Sequence, residues 1–563
     1  MRWFLCLVLA SPAGSLAAGL APSPERPAID PDPVAPLHVE IPEAEEEESG
    51  LSLTPELPFH WCRDAADARP LRIRAAVDGS RFDHGLLTVW NWRNEPIQRV
   101  RIEGGRSALL AFRIEGLGSY LLTLDGFSAG TQTARKIRNI ARVADLNEAR
   151  DAFRPDDFFL GICAFPGRYH WTVGGEPAVP SGLSERAARE LEAALLARLG
   201  FQVVRIDESM EMGRSGESGD EIDYTFDFSR MDAAADAYLS RGFDLALQLM
   251  HAPDWAIHPH YDSATEHRWR FPREESAQRA YARALLDRYG TNARFVQVFN
   301  EPDQIEFWSG TPDEFLTHHR SMHEVIRAFD PDVPVANGGY AFVDETRVRH
   351  FAHHLRETID RPSYHSHGTL ENLRDAFTRM TRVHDEAGYH DPVYLNTETG
   401  FDAWRLDQEK RQAEAVLQKV LYCWANGHRG VMLFCGRMVK GPGRSDRDLG
   451  LLDYQFCPRF SYASVGGLVA ALAGARHEEK LRETDTEFVY RFRRDDETIL
   501  AFFSLTPGKV LPLRYEARGA RLLDAMGNAT PLAPAGETEF AMSAYPAYLV
   551  LDSARQLSRT PSP

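Results

Sequence analysis

Cysteine is scarce in this chain of 563 residues, which contains only six. Five of them lie beyond residue 21. An odd number with no tight spacing argues against a dense disulfide framework, and no pair has the spacing of zinc ligands. The pattern leaves room for one disulfide, and we expect most of the thiols to be buried. The five residues are Cys62, Cys163, Cys423, Cys435 and Cys457.

Positive charge is also in short supply. The chain carries 64 Lys and Arg against 82 Asp and Glu, which gives a formal net charge of −18. A nucleic-acid-binding protein needs a basic footprint, so we expect no nucleic acid among the partners. Part of the negative charge is concentrated at residues 43–48, in a run more typical of a solvated linker than of a binding tail.

No apolar run beyond the N-terminus is long enough to span a membrane. At the N-terminus itself, Arg2 precedes a short apolar stretch over residues 3–10, and small residues follow up to Ala17 and Ala21. This pattern predicts a secretory signal peptide over residues 1–21, with a ragged apolar N-terminus as the alternative. We therefore expect a secreted or periplasmic protein.

The chain is too long for one domain, and its pattern changes along its length. Residues 22–50 are rich in Pro and Glu, which predicts a flexible linker. Short β-rich runs separated by turns predict one β-sandwich over residues 51–143 and a second over residues 476–552. Residues 553–563 are polar, and we expect them to form a disordered tail.

Between the two sandwiches, from residue 156 to residue 472, apolar runs alternate with helical patterns. Such alternation predicts a parallel sheet, and eight runs predict an α/β fold, the (β/α)8 TIM barrel. The fifth and sixth runs are short. The runs begin near Phe158, Phe201, Phe243, Phe295, Val333, Ser363, Val393 and Gly430. The helical patterns cover residues 184–199, 231–240, 276–289, 312–329, 371–387 and 406–426.

Two glutamates directly follow runs of this barrel. Glu301 follows the fourth run in the sequence Asn300-Glu301-Pro302. Glu398 follows the seventh run, a strand that we expect to end at Leu395. The two glutamates are 97 residues apart, which corresponds to about three βα units of roughly 30 residues each. Because functional side chains of such barrels lie at the carboxyl ends of the strands, we expect both carboxylates at the same face.

A pair of carboxylates is what cleavage of a glycosidic bond requires. One must be protonated to donate to the leaving oxygen, and the other must be ionised to attack the anomeric carbon. Glu301 fits the acid, Glu398 fits the nucleophile, and the amide of Asn300 could hold a sugar hydroxyl beside them. We expect the carboxyl groups to lie ~5–5.5 Å apart, and the pKa of Glu301 to be raised by burial and by repulsion from Glu398.

The motif Asn300-Glu301-Pro302 and Glu398 resemble the acid/base and nucleophile motifs of glycoside hydrolase clan A, whose members are retaining (β/α)8 glycosidases. The layout resembles family 39 and its relatives most closely, and the resemblance covers roughly residues 158–551. It implies a retaining glycoside hydrolase that acts on an oligo- or polysaccharide. It implies no metal and no organic cofactor.

Further residues resemble other site motifs of that clan. Arg205, at the end of the second run, resembles the arginine that hydrogen-bonds the nucleophile. His365 and His367 resemble the motif in which a His or Tyr approaches the nucleophile, and the loop from His251 to Trp255 resembles a substrate-lining loop. Each has a plainer interpretation as an ordinary ion pair, a structural histidine or loop packing. A metal site built on the two histidines lacks an evident third ligand.

One departure from the clan concerns the floor of the sugar site. Many members end the eighth strand with a tryptophan, whereas this chain has Phe434 there. Either Phe434 or Trp404, in the loop after the seventh run, could provide the platform. Tyr340, after the fifth run, is a candidate substrate contact or a packing residue.

Two other functions fit the same sequence. One is a noncatalytic carbohydrate-binding barrel, which would be favoured if Arg205 pointed away from Glu398. The other is a transglycosylase that uses the same two carboxylates but hands the sugar to an acceptor instead of water.

Overall fold

The computed structural model describes most of the chain from residue 50 onward. The described residues are 50–55, 59–62, 70–144, 146, 157–169, 172–173, 176–180, 183–207, 211–218, 221–250, 274–403, 406–438, 448–554 and 556–559. The predicted signal peptide and nearly all of the predicted linker lie outside them. Within these residues, no helix combines the length and the apolar character needed to cross a membrane.

Eight parallel strands form the centre of the molecule and pair in the order β5-β4-β3-β2-β1-β8-β7-β6. Most of their residues are buried, since helices cover the outer face and side chains fill the interior. The predicted (β/α)8 barrel is therefore confirmed. The strands are β1 (Phe159–Ala164), β2 (Val203–Ile206), β3 (Asp244–Leu249), β4 (Ala293–Val298), β5 (Val335–Ala336), β6 (Ser363–His365), β7 (Leu395–Thr399) and β8 (Gly430–Phe434).

The ring closes between β5 and β6, the two shortest strands of the barrel. A parallel bridge joins Tyr340 to Tyr364 beyond the end of β5. Nearby, the side-chain amide of Asn337 donates to the backbone oxygen of Ser363 at 2.8 Å, and the Ser363 hydroxyl donates to the backbone oxygen of Asn337 at 2.9 Å. Side-chain hydrogen bonds thus supply the pairing that the short strands lack.

Each barrel strand is followed by a helix. The first begins at the predicted cap, where the Ser184 hydroxyl accepts a hydrogen bond from the backbone N–H of Ala187 at 3.2 Å. The helices are α1 (Glu185–Ala197), α2 (Ser229–Leu239), α3 (Glu275–Tyr289), α4 (Pro312–Phe329), α5 (Glu345–Leu355), α6 (Leu370–Glu386), α7 (Leu406–Ala425) and α8 (Phe460–Leu472). Single 3₁₀ turns lie at Pro166–Arg168, Gly290–Asn292 and Arg356–Thr358.

Two antiparallel sheets form the predicted N-terminal sandwich around an apolar core. The three-stranded sheet contains Leu51–Pro55, Leu71–Val77 and Ser107–Phe112. In the five-stranded sheet, Phe59–Cys62 pairs in parallel with the edge of four antiparallel strands. Those four are Thr131–Ala144, Gly118–Ser128, His84–Trp90 and Pro96–Glu103.

The predicted C-terminal sandwich has a six-stranded and a three-stranded sheet. Its strands are Arg476–Glu483, Glu487–Arg494, Glu497–Ser504, Ala547–Asp552, Gly519–Leu523 and Ala529–Leu532 in one sheet, and Ala535–Ala541, Val510–Glu516 and Gln556–Arg559 in the other. The last strand corrects the prediction that residues 553–563 are disordered. Residues 556–559 pair with Val510–Glu516, so the sheet gives their backbone hydrogen-bond partners.

Helix α8 packs between the barrel and both sandwiches. It contacts the strands Gly118–Ser128 and Thr131–Ala144 on one side. On another side, a Cβ added at Gly467 would lie 2.3 Å from the backbone oxygen of Ala525, so the C-terminal sandwich touches the helix backbone itself. All of its residues but Ala470 are buried, which leaves it no solvated face. The three domains therefore share one interface.

Candidate active site

The chain leaves β4 through a strained turn that carries Glu301. The backbone φ is 72° at Phe299 and 42° at Glu301, values that residues other than glycine rarely adopt and that cost on the order of 1–3 kcal/mol each. The backbone N–H of Glu301 donates to the oxygen of Gly338 at 2.7 Å, which fixes the turn against the segment after β5. Glu301 is 3% exposed. Its carboxyl group is therefore held in place by the backbone and largely removed from water.

Glu398 lies inside β7, which runs from Leu395 to Thr399. The sequence prediction that the strand ends at Leu395 was wrong, because the polar residues that follow continue its pairing. The backbone N–H of Ser366 donates to the oxygen of Glu398 at 2.9 Å, and Thr399 pairs with Leu433 of β8. A strand position fixes the carboxylate of Glu398 more firmly than a position in a loop would.

Arg205 of β2 reaches across the barrel to Glu398. Its Nη2 donates to Oε1 of Glu398, and each side chain is 7% exposed. In so buried a site an unpaired carboxylate would be costly, so the guanidinium stabilises the ionised form. The structure thus brings together the two residues that the sequence predicted as partners.

His365, the last residue of β6, connects the two glutamates. Its Nδ1 lies 2.6 Å from Oε1 of Glu301 and 3.6 Å from Oε2 of Glu398, while its Nε2 lies 3.1 Å from the hydroxyl of Thr397. A Cβ at Gly339, where φ is 69°, would lie 2.1 Å from that Nε2, so a glycine is needed to make room for the ring. One carboxyl oxygen of each glutamate and one His365 nitrogen all lie within 4.8 Å of one another.

The two glutamates have opposite acidities. Burial, and then the charge of Glu398, raise the pKa of Glu301 to about 8. Burial also acts to raise the pKa of Glu398, but the charges of His365 and Arg205 and the contact with His367 outweigh it and lower that pKa. Burial lowers the pKa of His365 itself to about 4, so at neutral pH Arg205 is the cation that keeps Glu398 ionised. The site therefore holds one neutral and one negative carboxyl group.

His367 and Phe434 line the same site beside Glu398. Nε2 of His367 lies 3.4 Å from Oε2 of Glu398, and its side chain is 22% exposed. The ring of Phe434, at the end of β8, packs edge-on against that of His367 with centroids 5.3 Å apart. Phe434 therefore lies where the sequence predicted a platform, whereas the alternative, Trp404, lies outside the described residues.

Asn300 joins the site as predicted, next to Glu301. Its amide oxygen accepts a hydrogen bond from the side chain of Gln248 at 3.1 Å. This contact fixes the amide so that its NH2 group is the end left to donate, and within the described part of the chain that group makes no hydrogen bond.

The structure does not bring every predicted residue to the site. Tyr340 is fully buried, and its ring packs against that of Phe351 at 6.0 Å in an apolar cluster beneath α4 and α5. The prediction of a substrate contact there is corrected to a packing role, because the bridge to β6 turns this residue into the core. His251 and Trp255 lie outside the described residues, so their predicted roles remain predictions.

Three functional residues were missed by the sequence analysis. The side-chain amide of Gln304 contacts Oε2 of Glu301, the hydroxyl of Thr397 orients His365, and Gly339 admits its ring. A signal existed for two of them, since Gln304 is three residues from Glu301 and Thr397 precedes Glu398. For Gly339 there was no such signal, because the sequence does not show which side chain would pack against a glycine.

Glu301, His365 and Glu398 are also the one group in the described chain whose ligand atoms are close enough to hold a metal ion. Arg205 already places a positive charge on Glu398, and His365 and Gln304 already contact the two oxygens of Glu301. The donor atoms are thus engaged with one another and with an arginine, which fits an acid–base pair better than a cation site.

No protein-family model matches the chain, and neither does any curated protein. Among solved structures, a family 39 glycoside hydrolase from the gut symbiont Bacteroides cellulosilyticus WH2 aligns with a TM-score of 0.62 and 16% sequence identity, over 89% of this chain and 100% of the other. The two share a fold. The predicted resemblance to clan A is thereby confirmed at the level of architecture.

Two further solved structures align less closely, with TM-scores below 0.5. A monomeric β-xylosidase from Caulobacter crescentus CB15 aligns at 0.48 with 16% identity, over 70% of this chain and 96% of the other. A family 30 endoxylanase from Clostridium papyrosolvens C71 aligns at 0.46 with 12% identity, also over 70% of this chain and 96% of the other. At such identities the chemistry must be inferred from the site itself.

Proposed function

We propose that the protein is a retaining glycoside hydrolase that cleaves O-glycosidic bonds of an oligo- or polysaccharide. The observation that carries this proposal is a pair of adjacent glutamates in opposite states, Glu301 with a pKa of about 8 and Glu398 with a lowered pKa. One oxygen of Glu301 and one of Glu398 lie within 4.8 Å of each other. This short distance supports retention, for which the two carboxyl groups lie ~5–5.5 Å apart.

In the first step, an oxygen of Glu398 attacks the anomeric carbon while the bond from that carbon to the leaving oxygen breaks. The proton on Glu301 moves to the leaving oxygen, so the leaving group departs as a neutral alcohol. The products are a glycosyl ester on Glu398 and an ionised Glu301. Gln304 suits both states of Glu301, since its amide can donate to the carboxylate or accept from the acid.

In the second step, water completes the reaction. Esterification removes the charge of Glu398, and with it part of what raises the pKa of Glu301. Glu301 then takes a proton from water, whose oxygen attacks the anomeric carbon and releases Glu398 as a carboxylate. Both residues return to their starting states, with the anomeric configuration of the sugar retained.

Two neighbours would hold the sugar during these steps. The free NH2 group of Asn300 supports a hydrogen bond to a hydroxyl next to the anomeric carbon. The ring of Phe434 supports stacking against an apolar sugar face beside Glu398. The N-terminal leader predicted from the sequence supports a secreted or periplasmic site of action, where polysaccharides are met.

The direction of Arg205 bears on the noncatalytic alternative. A sugar-binding barrel has no need of a buried arginine that keeps one carboxylate ionised beside a neutral one. A transglycosylase would use the same residues and would differ in the acceptor, so it is tested by adding one.

The test is hydrolysis of a panel of aryl glycosides and polysaccharides by the wild type and by Glu398→Ala, with the anomeric configuration of the product followed by NMR. We expect one sugar class to be cleaved with retention, and the variant to lose more than about a thousandfold in rate. Added azide should then restore activity and yield the glycosyl azide of inverted configuration, because azide occupies the space left by the carboxylate.

Glu357→Ala serves as the matched control, since this glutamate is exposed and pairs only with its neighbour Arg356 in the described chain. A Glu398→Ala variant as active as this control would remove Glu398 from its role. Transfer to an added acceptor sugar in preference to water would favour the transglycosylase. A wild type that binds a glycan and cleaves nothing in the panel would favour the noncatalytic barrel.

A further inference from the structure

A cavity of about 450 Å³ opens at the amino-terminal end of the barrel. Its wall includes residues at which strands begin, namely Phe159 of β1, Asp244 of β3 and Leu395 of β7. The candidate active site lies at the carboxyl ends of the same strands. The cavity is therefore a separate feature, at the face of the barrel that usually serves stability alone.

Three arginines contribute to the lining of this cavity. Arg294 forms an ion pair with Asp244 at 3.9 Å. Arg361 and Arg429 have no carboxylate within ion-pair distance in the described part of the chain. Nη1 of Arg361 donates to the backbone oxygen of Asp360 at 3.0 Å, and for Arg429 no side-chain hydrogen bond to a described residue is formed. Two guanidinium groups of the lining thus have no carboxylate in ion-pair contact with them.

Acidic side chains also line the cavity, namely Asp244, Asp330 and Asp332, but none of them lies within ion-pair distance of Arg361 or Arg429. The carboxylate whose charge acts on the pKa of Arg361 is that of Asp360, which is engaged with other groups. The Asp360 carboxylate pairs with Arg327 at 2.5 Å and accepts the backbone N–H of Val335 at 2.7 Å, both through the same oxygen. Its charge opposes, without cancelling, the effects that lower the pKa of Arg361, which are burial and then the charge of Arg429. The two guanidinium groups therefore repel each other in a half-buried setting, and a bound anion would relieve that repulsion.

We propose that this cavity binds a tetrahedral dianion, free phosphate or a phosphate monoester, between Arg361 and Arg429. Each guanidinium offers a planar fork of N–H donors that matches two oxygens of such a group, and two positive charges match its two negative ones. The volume exceeds what a bare phosphate fills, which leaves space for the organic part of an ester. The site does not depend on the proposed glycosidase activity.

The test is calorimetric titration of the full-length protein with inorganic phosphate and with glucose 6-phosphate, each in a buffer of constant ionic strength. We expect saturable 1:1 binding of at least one of the two by the wild type, and at least tenfold weaker binding by Arg361→Gln and by Arg429→Gln. Binding of the ester identifies a monoester pocket, and binding of phosphate alone identifies a free-anion pocket. Both results support the site.

Arg283→Gln is the matched control, because Arg283 lies on the exposed side of α3 and pairs with Asp287 at 2.9 Å. It should bind the anion as the wild type does. Lys replacements at 361 and 429 keep the charge and guard against a Gln variant that fails to fold; they should bind more weakly than the wild type and more tightly than Gln. Absence of binding, or equal binding by all variants, would overturn the proposal.

Discussion

Glu301 and Glu398 are chemically identical, and both are almost fully buried, yet the pKa of Glu301 is raised and that of Glu398 is lowered. The difference arises from the groups beside Glu398, namely the charges of His365 and Arg205 and the contact with His367. Arg205 donates a hydrogen bond to Glu398 and none to Glu301. Its charge therefore stabilises the ionised form of Glu398 much more than that of Glu301. The charge of Glu398 in turn helps to raise the pKa of Glu301, which couples their roles.

The rate should therefore fall as pH rises through about 8. Glu301 must carry a proton to act as the acid, and its raised pKa of about 8 extends the protonated form well past neutrality. The measurement is kcat/KM of the wild type against pH on a substrate with a poor leaving group. In Glu301→Gln, the basic limb should be absent and the rate about 10²–10⁴-fold lower.

A substrate with a good leaving group provides the internal control, because it needs little protonation and should lose much less in Glu301→Gln. An alkaline limb that persists unchanged in this variant would assign the titration to another group.

At the scale of single residues, the sequence predicts well which residues form the site, but it predicts their protonation states poorly. Glu301 and Glu398 were predictable from their positions at strand ends, and the partnership of Glu398 with Arg205 from the resemblance to clan A. The acidities were predictable only in part, since the cation that keeps Glu398 ionised lies 193 residues away in the chain. The contact of His365 with Glu301 was not foreseen, because it depends on the turn geometry after β4 and on the space left by Gly339.

Among the elements, α7 contributes more than a covering for the barrel. Its Lys419 is fully buried, and the ammonium group donates to the backbone oxygens of Gly368 and Gly400 at 2.9 Å each. Gly368 directly follows His367, and Gly400 lies two residues after Glu398. One side chain thus ties the ends of β6 and β7 together next to Glu398.

Replacing Lys419 with Met should lower kcat about 10–100-fold with a smaller change in KM. The replacement keeps the length of the side chain but frees both loops, and displacements of about 1 Å at a catalytic group can cost two orders of magnitude. Two carbonyl groups also lose a buried donor, so we expect a loss of about 1–3 kcal/mol in the free energy of unfolding. Steady-state kinetics and denaturant unfolding measure the two effects.

Lys410→Met on the same helix is the control, since its ammonium group contacts the exposed side chain of Asn94. It should leave kcat unchanged. An equally unaffected kcat in Lys419→Met would show that the tie does not position the site.

Element prediction succeeded where apolar runs were long and failed where they were absent. Strand β7 extends past its apolar run because Asn396 to Thr399 pair with neighbours on both sides. The hairpin of Glu211–Ser218 and Glu221–Asp227 was missed, because only its second strand, with Ile222, Tyr224 and Phe226, alternates apolar and polar residues. Helix α5 could have been found, since Asp344 caps it and its buried residues recur at helical spacing.

Across the whole molecule, buried histidines make stability depend on pH. Burial lowers the pKa of His318 to about 4, and its Nε2 has no hydrogen-bond partner among the described residues. The unfolded chain takes up this proton near pH 6.5, so between pH 6.5 and pH 4 it binds more protons than the folded protein. Stability therefore falls as pH falls through this window, by up to about 1.4 kcal/mol per pH unit for each such residue.

His318→Leu should lose less stability on acidification than the wild type. On going from pH 7 to pH 5, the unfolding free energy of the variant minus that of the wild type should increase by roughly 2 kcal/mol. Denaturant unfolding at the two pH values measures it. His353→Leu, at an exposed position of α5, should shift with pH as the wild type does; a similar pH response in all three proteins would contradict the prediction.

The domain order was predictable from changes in sequence period, but the shared interface at α8 was not. The apolar residues of this helix predict that it is buried. They do not predict which side packs against which domain, because no polar face marks one side as solvated. Its partners come from strands more than 300 residues earlier and from the sandwich that follows.

That interface has a consequence for how the protein is made. Ala141 and Val143 of the N-terminal sandwich belong to the same apolar core as α8, so their side chains lack cover until the ribosome has synthesised Leu472. At about 5–20 residues per second, more than 300 intervening residues leave this face uncovered for roughly 15 to 60 seconds. The N-terminal sandwich thus emerges before the barrel but is completed only after α8 has been made.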